Sequence, residues 1–152
     1  MEWFFSRQRM LASLLILGSA FLLFRTIVMM SQGYLEIFVF WVALLLILEF
    51  LIDTGCLLSC AWWLVSEDRK ASKLALRITA AVIIVHAVRV LIYVMGRAGP
   101  WINFDVRPEY RLLQHTRWSW ERVYFAGILS ALSLIILLLI WIYKRKRKTH
   151  EN

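Results

Sequence analysis

Four uninterrupted apolar runs, at about 10–30, 35–65, 74–95 and 123–143, constrain this chain more than any other feature. Each meets or exceeds the roughly 20 residues that an α-helix needs to cross a hydrocarbon core of about 30 Å. A backbone in lipid must satisfy its own hydrogen bonds, which leaves helices or a closed barrel. Runs this continuous lack the alternation of barrel strands. The expected fold is therefore all-α, an integral membrane four-helix bundle that forms a single transmembrane domain over residues 1–152. At about 1.5 Å per residue the second run is too long for a perpendicular span. It should tilt, protrude or bend, with Gly55 as the candidate bend. The first run could also be read as a cleaved signal peptide, since Arg7 and Arg9 precede it and Gly18-Ser19-Ala20 lies within it. Its continuation to Met30 favours a retained helix.

Composition narrows the function classes. Apolar residues make up 61% of the chain and charged residues 18%, too little polar cover for a domain of this size in water, which excludes a typical soluble enzyme. Only 6 Gly and 2 Pro exclude a collagen-like or disordered chain. The net charge of +8 raises the question of nucleic acid. Most of the basic residues, however, sit in the segments flanking the apolar runs, where they set topology and meet anionic headgroups. The tail Lys144, Arg145, Lys146, Arg147 and Lys148 follows the fourth run directly and carries no interleaved aromatics. It reads as an inner-leaflet lipid contact worth about 1 kcal/mol per cation. No nucleic acid partner is expected.

Orientation follows from counting Lys and Arg in the connections. The two ends and the second connection carry eleven: Arg7, Arg9, Arg69, Lys70, Lys73, Arg77 and the five of the tail. The opposite side carries five, Arg97, Arg107, Arg111, Arg117 and Arg122, all in the loop 96–122. Both termini should be cytoplasmic. Trp62, Trp63, Trp141 and Tyr143 then lie at the inner interface and Trp101, Trp118, Trp120 and Tyr124 at the outer one, as an aromatic belt requires. In the outer loop, Tyr110, Leu113, Arg117, Trp120 and Tyr124 recur at near-helical spacing. This suggests a short amphipathic helix on the membrane surface, with an irregular aromatic-rich loop as the alternative.

The candidate site is a polar seam between the second and third spans. Glu49, Asp53, His86 and Arg89 lie well inside apolar runs, where each ionised group costs roughly 2.5 to 3.5 kcal/mol unless it faces a partner or water. The hairpin turns near Arg69 and Lys70, so residues at equal depth should have numbers summing to about 139. Asp53 then meets His86, and Glu49 meets Arg89. Cys56 and Cys60 extend the face of the second span, with Thr79 opposite Cys60. Tyr93 continues the face of the third toward the outer half. A shallower pairing of Arg25 with Glu36 is open, although both can also snorkel to headgroups. The seam can be a structural ion pair that fixes helix register. It can also bind or relay protons or an ion, or anchor a lipophilic or anionic small molecule.

Other chemistry finds little support. Cys56 and Cys60 are spaced C-x-x-x-C in a reducing half of the membrane and read as packing residues. His86 is the only histidine inside a span, so a bis-His haem site would need two copies of the chain. Asp105, Glu109, His115 and Glu121 match no metal spacing and balance the Arg residues of their loop. Phosphate-loop, dinucleotide, nucleophile-elbow and zinc-helix motifs are absent from the sequence. No catalytic residue, cofactor or metal is expected.

The favoured reading is a non-catalytic accessory or interaction subunit of a membrane, by default the bacterial inner membrane. A small proton- or ion-coupled transporter or switch using the same seam is the alternative, and a membrane enzyme or thiol oxidoreductase the weaker one. Ala126, Gly127, Ser130, Ala131 and Ser133 on the fourth span suit close packing, within the chain, in a homo-oligomer or in a larger membrane complex.

Overall fold

The computed structural model describes residues 7–66, 68–96 and 101–111. Three long helices dominate: α1 (Arg7–Ser31), α3 (Phe40–Ser66) and α4 (Arg69–Met95), with a single-turn α2 (Tyr34–Ile37) between the first two. All three are long and apolar enough to cross a membrane, which marks the chain as a membrane protein. The fourth span, the basic tail and the amphipathic segment beyond Arg111 lie outside the described residues.

Each long helix buries one narrow stripe. On α3 the stripe runs through Val42, Leu46, Glu49, Asp53, Cys56, Cys60 and Trp63, alternating steps of four and three, with Ser59 buried beside it. Ala12, Leu15, Ser19, Leu22, Thr26 and Met29 do the same on α1, as do Ala75, Thr79, Val82, His86 and Arg89 on α4. Steps that average roughly 3.5 residues keep a seam in register with its neighbours along the whole helix. α3 packs against both α1 and α4, so its stripe is the centre of the bundle. The polarity is inverted relative to a protein in water. Leu17, Phe24, Leu51, Leu58 and Ile84 face outward while Glu49, Asp53 and His86 are fully buried. Such an arrangement fits a solvent of acyl chains.

The second apolar run is interrupted at Phe38 and Val39. α3 is continuous through Gly55, where an added Cβ would meet nothing within 4 Å among the described residues. α1 ends at Ser31, and Gly33 (φ 80°) turns the chain into α2. α2 stops at Phe38, which is extended (φ −73°, ψ 150°). The freed backbone groups are recovered by a distant segment, which we call the strap, residues 101–107. Val39 N–H donates to the Asp105 carbonyl (3.1 Å), and Arg107 donates from its backbone N–H to Ile37 O (2.9 Å) and from Nε to Phe38 O (3.0 Å). Phe38 and Val106 form an antiparallel bridge. Irregular backbone at membrane depth is tolerated where protein satisfies it in this way.

At the other end, Asp68 caps α4 by accepting from the Lys70 N–H at 3.1 Å, so the α3–α4 turn is tight. That turn sets the hairpin register on which the polar seam depends.

Candidate functional site

The buried stripes of α1, α3 and α4 bring five ionisable side chains together: Arg25, Glu49, Asp53, His86 and Arg89, none more than 5% exposed. They form two groups joined by one hydroxyl.

The first group centres on Glu49. Arg89 Nε donates to Oε1 at 2.5 Å from α4, and Arg25 Nη2 donates to Oε2 from α1. Both carboxylate oxygens are thus held by guanidinium groups on different helices, the strong charge-assisted form of hydrogen bond. Arg89 also reaches the Val42 carbonyl with Nη2 (3.4 Å) and lies over the Phe38 ring, 5.2 Å from its centroid.

The second group is Asp53 with His86. His86 Nε2 is 2.9 Å from Asp53 Oδ1. An ionised carboxylate only accepts, so Nε2 carries the proton of this bond when Asp53 is charged. His86 Nδ1 is buried and has no hydrogen-bond partner among the described residues. The Thr26 hydroxyl connects the groups: it accepts from Arg25 Nη2 (3.3 Å) and lies 3.0 Å from Leu22 O and 3.3 Å from Asp53 Oδ2, both acceptors for its single proton.

Beyond Asp53, toward the α3–α4 turn, smaller polar groups continue the seam. The Thr79 hydroxyl donates to Ala75 O (2.8 Å) and lies 3.4 Å from Cys56 Sγ. Thr79 also faces the Cys60 thiol. Ser19, Cys60 and Asp53 also face the Cys56 thiol, and Ser59 faces Cys60. Both cysteines are buried free thiols.

The strap end carries another carboxylate. Asp105 is buried against Gly96 and lies within electrostatic reach of Arg89. Its place beside Gly96 and near Arg89 is not legible from the sequence, where it reads as one more charge in an arginine-rich loop. A Cβ at Gly96 would come within 2.5 Å of Asp105 Oδ1, so glycine leaves the room this carboxylate occupies.

The structure pairs Glu49 with Arg89 and Asp53 with His86, while Tyr93 stands half-buried four residues beyond Arg89. The pairing of Arg25 with Glu36 does not form. Arg25 is buried on Glu49 and Glu36 is exposed on α2. Arg25 lies one turn from Leu22 and Met29 on the face of α1 that meets α3, where its guanidinium reaches the Glu49 carboxylate. The tail residues 144–148 lie outside the described residues. Among the described residues no three His, Cys, Asp or Glu side chains converge to hold a metal ion.

Comparison with protein-family models, with curated proteins and with solved structures finds no match. The site therefore has to be interpreted from its own geometry.

Proposed function

We propose that the chain is a small polytopic membrane protein of non-catalytic type, an accessory or interaction subunit. Its Arg25–Glu49–Arg89 clamp fixes the packing of three helices. The observation that supports this reading is the engagement of both Glu49 oxygens by guanidinium groups from two other helices. A carboxylate so occupied is a poor base or ligand and a good register pin. In this reading both termini are cytoplasmic in a bacterial inner membrane. The fourth span completes a four-helix bundle or packs against a partner, and the tail from Lys144 to Lys148 lies on anionic lipid. Purification of the tagged chain from its native membrane in mild detergent tests it. A second polypeptide in stoichiometric amount is expected, and a chain that comes out alone argues against a subunit role.

A second reading, a proton-linked switch or small transporter, is favoured by one specific feature: His86 Nδ1, buried beside the Asp53 carboxylate and without a hydrogen-bond partner among the described residues. Imidazole is the side chain whose protonation is most readily moved across neutral pH by its surroundings. The test is the nitrogen-15 signal of His86 over pH 5 to 8, which changes in this reading and stays fixed in a purely structural one.

A further inference from the structure

The two sides of His86 differ chemically. Toward the strap stand the fixed cations Arg25 and Arg89 on Glu49, then the Phe38 ring under Arg89, then the docked strap with Asp105. Toward the α3–α4 turn there is no buried charge among the described residues. Cys56, Thr79, Ser19, Ser59 and Cys60 form a buried file of hydroxyl and thiol groups, with small Ala71 and Ala75 and the ring of Trp63 beyond them.

We propose that His86 Nδ1 is a proton-binding site that exchanges with one side of the membrane only, the side of the α3–α4 turn, through the Cys56–Thr79–Ser19–Ser59–Cys60 file. The proposal rests on the proton-linked reading above and adds its direction. A hydronium ion from the turn side gives its proton to the Nδ1 lone pair and leaves as water. The imidazole becomes imidazolium and keeps its Nε2–H bond to Asp53. Oxygen and sulfur lone pairs of the file can accept from water or hydronium even while each hydroxyl proton is given to a backbone carbonyl, as in Ser19 to Leu15 O (2.7 Å) and Ser59 to Cys56 O (3.0 Å). On the strap side two guanidinium groups, which cannot be deprotonated, repel an approaching cation, the device by which pores exclude protons.

The charged and titratable groups around His86 are Arg25 from α1, Glu49, Asp53 and Cys56 from α3, and Arg89 from α4, with Asp105 of the strap behind Arg89.

The test uses the full-length chain in liposomes with one orientation, nitrogen-15 labelled at histidine, with the pH set separately on each side. The His86 signal is identified by its loss in His86→Gln. The expected result is a shift of Nδ1 from acceptor to donor type that follows the pH on the α3–α4 turn side and ignores the other. Replacing Cys56 and Thr79 together by Val is expected to abolish the response. A signal that follows the strap side, or both sides, overturns the one-sided path while leaving proton binding intact. A signal fixed on both sides over pH 5 to 8 removes the proton-linked reading itself.

Discussion

Arg89 Nε donates to Glu49 Oε1 across 2.5 Å, joining α4 to α3 at a point 40 residues apart in the chain. Arg25 holds the other oxygen from α1, so one carboxylate serves two helix interfaces. The consequences for stability are unequal among the three residues.

Glu49→Gln should be the most damaging single change, because it takes the carboxylate from two buried guanidinium groups at once. Removing one partner of a buried pair costs about 3 to 5 kcal/mol. Arg25→Met and Arg89→Met should each cost less, since Glu49 retains one cation in either variant. The triple variant Arg25→Met, Glu49→Leu, Arg89→Met removes all three charges and should recover most of the loss, as buried ion clusters replaced by apolar residues often do. Unfolding in mixed micelles, followed by far-UV circular dichroism, ranks the four proteins.

The hairpin register gives a second prediction. In a chain with Cys56 and Cys60 replaced by Ser, cysteines at positions 53 and 86 should be joined by a short bis-thiol reagent, since the native side chains meet at 2.9 Å between Asp53 Oδ1 and His86 Nε2. Cysteines at positions 50 and 86 should not, because Phe50 lies off the buried stripe of α3. Mobility on a denaturing gel distinguishes the products, and crosslinking of the second pair would mean a different register.

Much of this arrangement could be read from the chain alone. Two antiparallel helices joined by a tight turn have only one free parameter, their register. The positions of Arg69 and Lys70 were enough to pair Asp53 with His86 and Glu49 with Arg89. The contribution of α1 was harder to read. Arg25 lies in a separate hairpin whose turn contains the extended Phe38, so depth cannot be carried across by counting. The break itself has no local signal, since neither Phe38 nor Val39 is Gly or Pro. It is stabilised by the Asp105 and Arg107 hydrogen bonds from almost 70 residues away. Thr26 was missed for a related reason: a lone threonine in an apolar run usually bonds only its own helix, as this one also does at Leu22.

Gly96 and Gly55 should respond oppositely to alanine. At Gly96 the new methyl would lie 2.5 Å from Asp105 Oδ1, and Asp105 is itself buried, so the strap must shift. Overpacking of this kind costs about 1 to 3 kcal/mol. The Val39 and Arg107 amides, which donate across the strap interface, should exchange hydrogen faster. Gly55→Ala meets nothing within 4 Å inside a continuous helix and should be neutral or stabilising, by up to about 1 kcal/mol. Amide exchange and thermal unfolding of both variants check the contrast, and a damaging Gly55→Ala would show that the space at Gly55 is filled.

Asp105→Asn should separate packing from charge at the strap. The amide keeps the shape against Gly96 but removes a carboxylate from the neighbourhood of Arg89. Backbone bonds from Val39 and Arg107 do not involve this side chain. The strap should therefore stay docked with a modest loss, on the order of 1 kcal/mol, that shrinks further in the Arg89→Met background. A double-mutant cycle measures the coupling, and full additivity would place Asp105 outside the network.

The central claim is that Glu49 is held by two arginines from two helices, and carbon–nitrogen dipolar recoupling in lipid bilayers measures it directly. With the Glu side-chain carboxyl labelled in carbon-13 and Arg guanidinium groups in nitrogen-15, the native chain should show close contact from a carboxyl signal that disappears in Glu49→Gln. That contact should fall by about half, rather than vanish, in either Arg25→Met or Arg89→Met. A carboxyl signal at Glu49 with no nearby guanidinium nitrogen, or one abolished by removing a single arginine, would contradict the account.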